Sequence, residues 1–432
     1  EQEEMLSIKG GASAEIGRAI HSDIRRTQYA SDVMVMTALV SMYGKCGGLV
    51  YAKKIFSKMT CLDEVVWSAM ISAYAENAHV RGAIQLFEQM LQEGMLSNKY
   101  ILSSILSGCA IEFVYVEGKQ MHARITCSGF ALDVAVGNAL VSLYGKIGCM
   151  DDALKVFYKM FDCNLVSWNS IIGACAEHGH LQGACQIFEQ MQQEGFVADK
   201  ATFVNVLSAS ANRDSLTQGK RFHALTIVTS MSGDIQIDNA LVNMYGKCGN
   251  LDYMHSIFEK MAPKNSVTWN TIISVYAQHG KDKVAFELFE EMQEKGITPD
   301  RLTFSSILSM CANQGLLFEG KRVHKLFKNR GFQPDKVVGS ALISLYGKCG
   351  SLIEAKKIFN SMPEQDVVLW NSLITAFSQN GQGEYALELF NRMQWKMIRP
   401  TGVTFISVLS ACSHVGRLDE ACHHFDSMEK WY

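Results

Sequence analysis

Residues 266–300 read SVTWNTIISVYAQHGKDKVAFELFEEMQEKGITPD. Val267, Trp269, Ile272, Ile273 and Tyr276 fall at helical spacing and stop at Gly280; Val284, Ala285, Leu288, Phe289 and Met292 do the same and stop at Gly296. Two amphipathic helices, each closed by a glycine, make a helical hairpin of 35 residues. The following text reads as another 35-residue hairpin, Arg301 to Asp335, and then a shorter one of 31, Lys336 to Asp366.

These three hairpins together span 101 residues, and that number recurs through the chain. Trp67, Trp168, Trp269 and Trp370 keep it, as do His21, His122, His223 and His324, Tyr43, Tyr144, Tyr245 and Tyr346, and Met59, Met160, Met261 and Met362. A period this regular predicts an array whose units bury their apolar faces only against their neighbours, hence an all-α solenoid of helix-turn-helix repeats with a long concave surface. All five prolines (Pro263, Pro299, Pro334, Pro363, Pro400) fall in joints between hairpins, where a missing N–H does no harm.

Composition narrows the function. A net charge of -3 argues against a strongly basic nucleic-acid surface but leaves room for a locally positive groove. No apolar run reaches the ~18 residues of a membrane span. Thirteen cysteines include no Cys-x-x-Cys, and their repeat positions tolerate exchange: Cys46, Cys248 and Cys349 become Ile147, and Cys109, Cys311 and Cys412 become Ser210. Small buried packing residues in a reducing interior are expected, not ligands. Nor can the histidine row form one metal site, because three hairpins at about 10 Å each separate its members by roughly 30 Å. Catalysis finds no paired acid-base or metal constellation. The chain opens at Glu1 and stops inside a unit at Tyr432, so a fragment is expected, its targeting peptide lying outside it.

Two solenoid families have hairpins near this length. Tetratricopeptide units want a small residue where their helices cross, and here Ile71, Ile172, Ile273 and Ile374 stand there, with Met90, Met191, Met292 and Met393 at the usual helix-B alanine. The chain instead resembles the pentatricopeptide repeat family, in its plant subclass of alternating P, L and S motifs. Val367-Val368-Leu369-Trp370-Asn371-Ser372 matches a P start, Gly118-Lys119-Gln120-Met121-His122 the L signature, and Gly339-Ser340-Ala341-Leu342 through Tyr346-Gly347-Lys348-Cys349-Gly350 an S motif. Eleven motifs, in the order S-P-L-S-P-L-S-P-L-S-P, fit residues 33–401, with a partial L motif at 1–32 and a truncated one at 402–432.

That resemblance implies a right-handed α-solenoid that binds single-stranded RNA sequence-specifically in a plant mitochondrion or chloroplast, the mitochondrion slightly favoured. It implies no cofactor, membrane or small-molecule substrate, with editing or processing factors as further partners. The leading expectation is the targeting half of a C-to-U editing factor. The deaminase signature, His-x-Glu with Cys-x-x-Cys, is absent, so the chain itself is not expected to be an enzyme and such a domain would lie beyond Tyr432. A tetratricopeptide-like protein scaffold is the alternative.

The family's reading mode uses the fifth and last residues of each unit to address one base. A short Ser or Thr leaves room for a purine and the longer Asn reaches a pyrimidine; a terminal Asp only accepts and suits G or U, whereas Asn also donates and suits A or C. Carried over, Thr37 with Asp63 matches G, Ser68 with Asn98 A, Asn138 with Asn164 C with tolerance for U, and Asn169 with Asp199 U. Asn239 with Asn265 and Asn270 with Asp300 repeat C and U, Ser340 with Asp366 matches G, and Asn371 with Thr401 supports only a pyrimidine. L units read weakly in the family: Ser103 with Asp133 and Ser305 with Asp335 lean to G, and Val204 cannot hydrogen-bond a base. With the RNA 5′ end at the protein N-terminus, the implied footprint is 5′-G-A-n-C-U-n-C-U-n-G-Y-3′.

Blander roles compete. Terminal Asp and Asn residues also suit helix caps, whereas Asn138, Asn169, Asn239, Asn270 and Asn371 sit inside helices, where Asn is a poor former and capping explains nothing. Val65, Val166, Val267 and Val368 resemble the family's base-wedging side chain, with core packing an equal contender. The tryptophans precede reading positions by one residue, so ~100° of turn should aim them into the hairpin interface and away from bases. Lys45, Lys146, Lys247 and Lys348, eight residues beyond the reading positions, are candidate phosphate contacts or ordinary solvated lysines.

Overall fold

A computed structural model describes residues 17–431, apart from 25, 28, 30, 31, 60, 131 and 132. Among the described residues every regular element is a helix. Much of the expected partial unit at 1–32 lies outside them.

The helices come in pairs. The tryptophan-bearing pairs are Glu64–Glu76 with Val80–Gln92, Leu165–Glu177 with Leu181–Gln193, Ser266–Gln278 with Asp282–Glu294, and Val367–Gln379 with Gly383–Trp395. Each follows a pair with a short second helix: Val33–Lys45 with Leu49–Phe56, Val134–Ile147 with Met150–Lys159, Ile235–Lys247 with Leu251–Lys260, and Lys336–Lys348 with Leu352–Ser361. Each precedes a histidine-type pair: Lys99–Glu112 with Tyr115–Cys127, Lys200–Ala209 with Leu216–Val228, Arg301–Gln314 with Leu317–Asn329, and Gly402–Val415 with Leu418–Trp431. We label these P, S and L hairpins respectively.

Local chemistry sets the ends. Before the Ser266–Gln278 helix, Asn265 Oδ1 accepts from the Thr268 amide at 3.0 Å while the Asn265 amide donates to Thr268 Oγ1 at 3.4 Å. A cap of this kind is worth about 1 kcal/mol. The same helix gives way to a turn in which Gly280 takes φ 65°; Ala78, at the equivalent place in the first P hairpin, accepts φ 55°.

The chain divides into two compact bodies, Glu1–Ser210 with Thr217–Val228, and Ala211–Leu216 with Thr229–Tyr432. In the first, the first helices pack side by side in chain order from Val33–Lys45 to Lys200–Ala209, and the second helices from Leu49–Phe56 to Leu181–Gln193 cover their own partners. The second body stacks Ile235–Lys247 through Gly402–Val415 in the same way. Each body is a two-layered α-solenoid, and no described helix is long and apolar enough to cross a membrane.

The repeated residues account for the stacking. Trp67, Trp168, Trp269 and Trp370 are buried, each meeting a phenylalanine of the preceding S hairpin edge-on: Phe56 at 5.0 Å, Phe157 at 4.8 Å, Phe258 at 5.0 Å and Phe359 at 4.8 Å between ring centres. Such pairs add about 0.5–1.5 kcal/mol beyond burial. The His and Tyr rows explain each other: Nδ1 of His21, His122 and His324 lies 3.0, 2.8 and 2.7 Å from the hydroxyls of Tyr43, Tyr144 and Tyr346, joining an L second helix to the next S first helix. Where S and P first helices cross, glycine is required by space. A Cβ on Gly145 would lie 2.5 Å from Ala174 Cβ, and one on Gly44 2.6 Å from Ala73 Cβ.

The cysteines split. Cys109, Cys311 and Cys412 are buried as expected, and burial first, then nearby carboxylates, pushes the Cys109 and Cys311 thiols up to about 12. Cys46, Cys248 and Cys349 correct the expectation of packing residues: they are half-buried at the C-caps of S first helices, where the chain turns away and one side stays open.

Candidate nucleic-acid interface

Each first helix presents its second and fifth residues, and the residue before it is the previous hairpin's last. The terminal residues are caps wherever the side chain can accept: Asp63 takes the Val66 amide at 2.9 Å, Asn98 that of Ile101 at 2.9 Å, Asn164 that of Ser167 at 3.0 Å, Asp199 that of Thr202 at 2.8 Å, Asp300 that of Thr303 at 3.0 Å, and Asp366 that of Leu369 at 3.0 Å. Capping is therefore a role these residues hold in addition to any other.

P hairpins go further and join the fifth residue to the last. Asn98 Nδ2 donates to Ser68 Oγ at 3.3 Å, Asn169 Nδ2 to Asp199 Oδ1 at 3.0 Å, Asn270 Nδ2 to both Asp300 oxygens at 2.9 and 2.8 Å, and Asn371 Nδ2 to Thr401 Oγ1 at 3.0 Å. A threonine of the following helix closes the triangle: Thr202, Thr303 and Thr404 hydroxyls donate to Oδ1 of Asn169, Asn270 and Asn371. At Asp199, burial raises the carboxyl, but bonds from Thr202 and then Asn169 outweigh it and hold its pKa below the ordinary value.

S hairpins leave the pair open. Thr37 Oγ1 donates to the Val33 carbonyl at 2.7 Å and Ser340 Oγ to that of Val337 at 2.9 Å, within their own helices. Oδ1 of Asn138 and of Asn239 is buried without a hydrogen-bond partner, while Asn164 and Asn265 only cap. In L hairpins the terminal carboxylate is taken by a cation on the first residue: Lys99 Nζ is 3.7 Å from Asp133, and Arg301 Nη1 donates at 2.8 Å to Asp335, which is 7% exposed. This use of Asp was missed from the sequence, although Lys99, Lys200 and Arg301 repeat at the first L position.

The valines are not core. Val65, Val166, Val267 and Val368 are 64, 59, 55 and 50% exposed, because the second residue of each helix points away from the stack. Met34, Tyr100, Leu302 and Val403 occupy the same place in S and L hairpins and are also exposed, a row that counting from each helix start would have found. Between Val368 and Val403 lies an open cavity of about 350 Å³, with Asn371, Thr375 and Lys348 on its walls.

The tryptophans supply no platform: all four are buried. Lys45, Lys146, Lys247 and Lys348 are exposed in the last turn of S first helices, where a cation also suits the helix dipole, and Lys348 Nζ donates to Asn313 Oδ1 at 2.7 Å. Among the described residues, the one group spaced for a metal is Cys412, Glu420 and His424, within 4.8 Å; Cys109 and Cys311 hold the equivalent place with Glu117 and Glu319 but no such histidine, so it is no feature of the array.

Regular helical hairpins, with the second residue of the first helix exposed and, in P hairpins, the fifth hydrogen-bonded to the last, define a class of helical-repeat protein. The PPR repeat family matches residues 62–111, 163–212, 264–313 and 365–414, and the PPR repeat matches 35–63, 138–165, 239–262, 302–332, 340–367 and 403–431. The chain belongs to the PPR repeat family. A chloroplastic pentatricopeptide repeat-containing protein of Arabidopsis thaliana is 32% identical over 429 residues, which are 99% of this chain and 53% of that protein. A mitochondrial one is 32% identical over 437 residues, covering 96% and 48%. The chain spans about half the length of these relatives. Among solved structures, PPR10 from maize has a TM-score of 0.52 at 20% identity, with 99% of this chain and 68% of that one covered. PPR10 in complex with an 18-nt psaJ RNA element has a TM-score of 0.50 at 16% identity, covering 99% and 86%. These likenesses establish the fold.

Proposed function

We propose that this chain binds single-stranded RNA, one base per hairpin, as the targeting module of an organellar RNA-processing factor, with C-to-U editing the process it serves. The observation that carries the reading is the P-hairpin triangle: the fifth and last residues lie within hydrogen-bond distance of each other, as two groups must to share one base edge, beside an exposed apolar side chain. Family membership supports it, as does the RNA held by PPR10. The bases are read by Thr37 with Asp63, Ser68 with Asn98, Asn138 with Asn164, Asn169 with Asp199, Asn239 with Asn265, Asn270 with Asp300, Ser340 with Asp366 and Asn371 with Thr401. Val65, Val166, Val267 and Val368 wedge between bases, and Lys45, Lys146, Lys247 and Lys348 meet phosphates. Relatives named chloroplastic and mitochondrial support an organelle as the place of action.

Selection from a pool of randomised RNA tests this. Enrichment of 5′-G-A-n-C-U-n-C-U-n-G-Y-3′ is expected. An unenriched pool, together with peptides retained from a display library, would assign the chain to protein scaffolding instead.

A further inference from the structure

The four P second helices end in the same register, so their closing turns can be compared position by position. Three close on Gln92-Glu93-Gly94, Gln193-Glu194-Gly195 and Glu294-Lys295-Gly296; the fourth closes on Trp395-Lys396-Met397. The three glycines take φ of 81, 83 and 76°, and Met397 holds φ 58°, a left-handed conformation that a side chain disfavours. Trp395 is 88% and Met397 89% exposed, so packing does not account for either.

Charge departs at the same turn. Arg392, Lys396 and Arg399, all exposed, carry three positive charges. The equivalent Gln89, Glu93 and Leu96 carry one negative charge, Gln190, Glu194 and Val197 one negative charge, and Glu291, Lys295 and Thr298 none net. The turn also meets the start of the helix that carries the candidate reading residue Asn371. Lys396 Nζ donates to Gln365 Oε1 at 2.7 Å and lies 5.6 Å from the centre of the Trp370 ring. Gln365 precedes Asp366, Trp370 precedes Asn371, and Arg399 stands two residues before Thr401.

We propose that Trp395, with Met397 beside it, is a stacking platform for one unpaired nucleobase in the 3′ part of the bound RNA, and that Arg392, Lys396 and Arg399 hold its phosphates. This rests on the RNA-binding reading above. Every base has a π face, so an exposed indole among cations binds a single strand without reading its sequence. Two exposed apolar side chains in a turn that carries three cations complement a polyanion with a π face to offer.

The test measures affinity of the 432-residue chain for the footprint RNA with two added 3′ nucleotides, and for versions with an abasic site at the ninth, twelfth or thirteenth position, which none of the reading pairs addresses. The parent, Trp395→Ala and Trp395→Phe are compared. Trp395→Ala should bind about tenfold more weakly and Trp395→Phe less than about threefold, in the range that alanine substitution at stacking aromatics gives. One abasic position should weaken the parent about tenfold and leave Trp395→Ala unaffected, with base preference at the eighth nucleotide unchanged in both. If Trp395→Ala binds as tightly as a base-selective parent, or if abasic effects persist in it at full size, the platform is refuted and the RNA reading stands. Loss of a co-purifying protein with RNA affinity intact would refute it equally and assign the turn to a protein contact. A parent without base preference overturns the RNA reading and the platform together.

Discussion

Asn270 and Asp300, thirty residues apart in the chain, are joined by two hydrogen bonds from one amide nitrogen, at 2.9 and 2.8 Å. The pair is satisfied with no ligand present, so a base that enters must offer a better match to both groups than they offer each other.

Replacing Asn270→Ser shortens the reader and keeps the acceptor-only Asp300, so preference at the eighth nucleotide should change from U to G while neighbouring preferences hold. The discrimination is about 1–3 kcal/mol, taking base-specific hydrogen bonding as the guide. Val204→Ala, in an L hairpin, should alter no preference. RNAs randomised at one position each report the outcome; continued preference for U at that nucleotide would remove Asn270 as a reader.

Val267 projects from the stack, so Val267→Ala should leave thermal stability within about 0.5 kcal/mol of the parent. Loss of a desolvated contact of roughly two methyl groups should nonetheless weaken RNA binding about fivefold to tenfold. Unchanged affinity would leave the valine row without a function.

Gly145→Ala forces a methyl group against Ala174 Cβ, only 2.5 Å away. Overpacking of this kind costs about 1–3 kcal/mol, more than alanine's helix preference returns. Exchanging the two, Gly145→Ala with Ala174→Gly, should restore most of the loss in denaturant melts. Equal stability of the single variant and the parent would show that the helices can part at no cost.

Burial, and then Lys328, lowers the His324 pKa to about 4, against a small opposing effect of Glu354. The unfolded chain takes up this proton near pH 6.5 and the folded chain does not, so stability falls as pH drops from 6.5 towards 4. At pH 5 the loss from this one group is about 2 kcal/mol. Melting curves of the parent and His324→Gln should therefore converge as pH falls from 7.5 to 5; parallel curves would show that His324 titrates normally in the fold.

A net charge of -3 argues against phosphate contacts beyond the seven cations named above, so at the single-strand slope of about 0.7 per contact RNA affinity should fall by no more than about 10³-fold between 50 and 200 mM salt. A steeper decline in a salt titration would point to a basic groove that the charge count conceals.

Hairpin architecture was legible because Trp269, Gly280 and Phe289 each follow from one-dimensional spacing. The inward aim of the tryptophans was legible for the same reason, since ~100° of turn from Asn270 leaves one direction free. What was not legible depended on choices between chemically equivalent fates. Asp300 is an acceptor whether it caps Thr303 or meets a base, and it does the first in the structure regardless of the second. Val267 has the same side chain at a core or surface position, and only its place as second residue of a capped helix turns it outward. Asp335 matched a reading pattern until Arg301, on a helix start in the same hairpin, took its carboxylate.

Alternation of hairpins divides the work of binding on the RNA reading. Asn138 and Asn239 hold a buried acceptor with no partner among the described residues, so a base donor reaches it only once the amide turns outward. Asn169 and Asn270 each already bond a carboxylate through Nδ2 and a threonine through Oδ1, so an arriving base that takes these positions exchanges one set of bonds for another. On that reading these S hairpins answer a base by turning an amide outward and these P hairpins by exchange: a wrong base at Asn169 or Asn270 breaks an intact triangle and leaves a carboxylate without its amide. A chain built from both kinds tests its strand in two different ways.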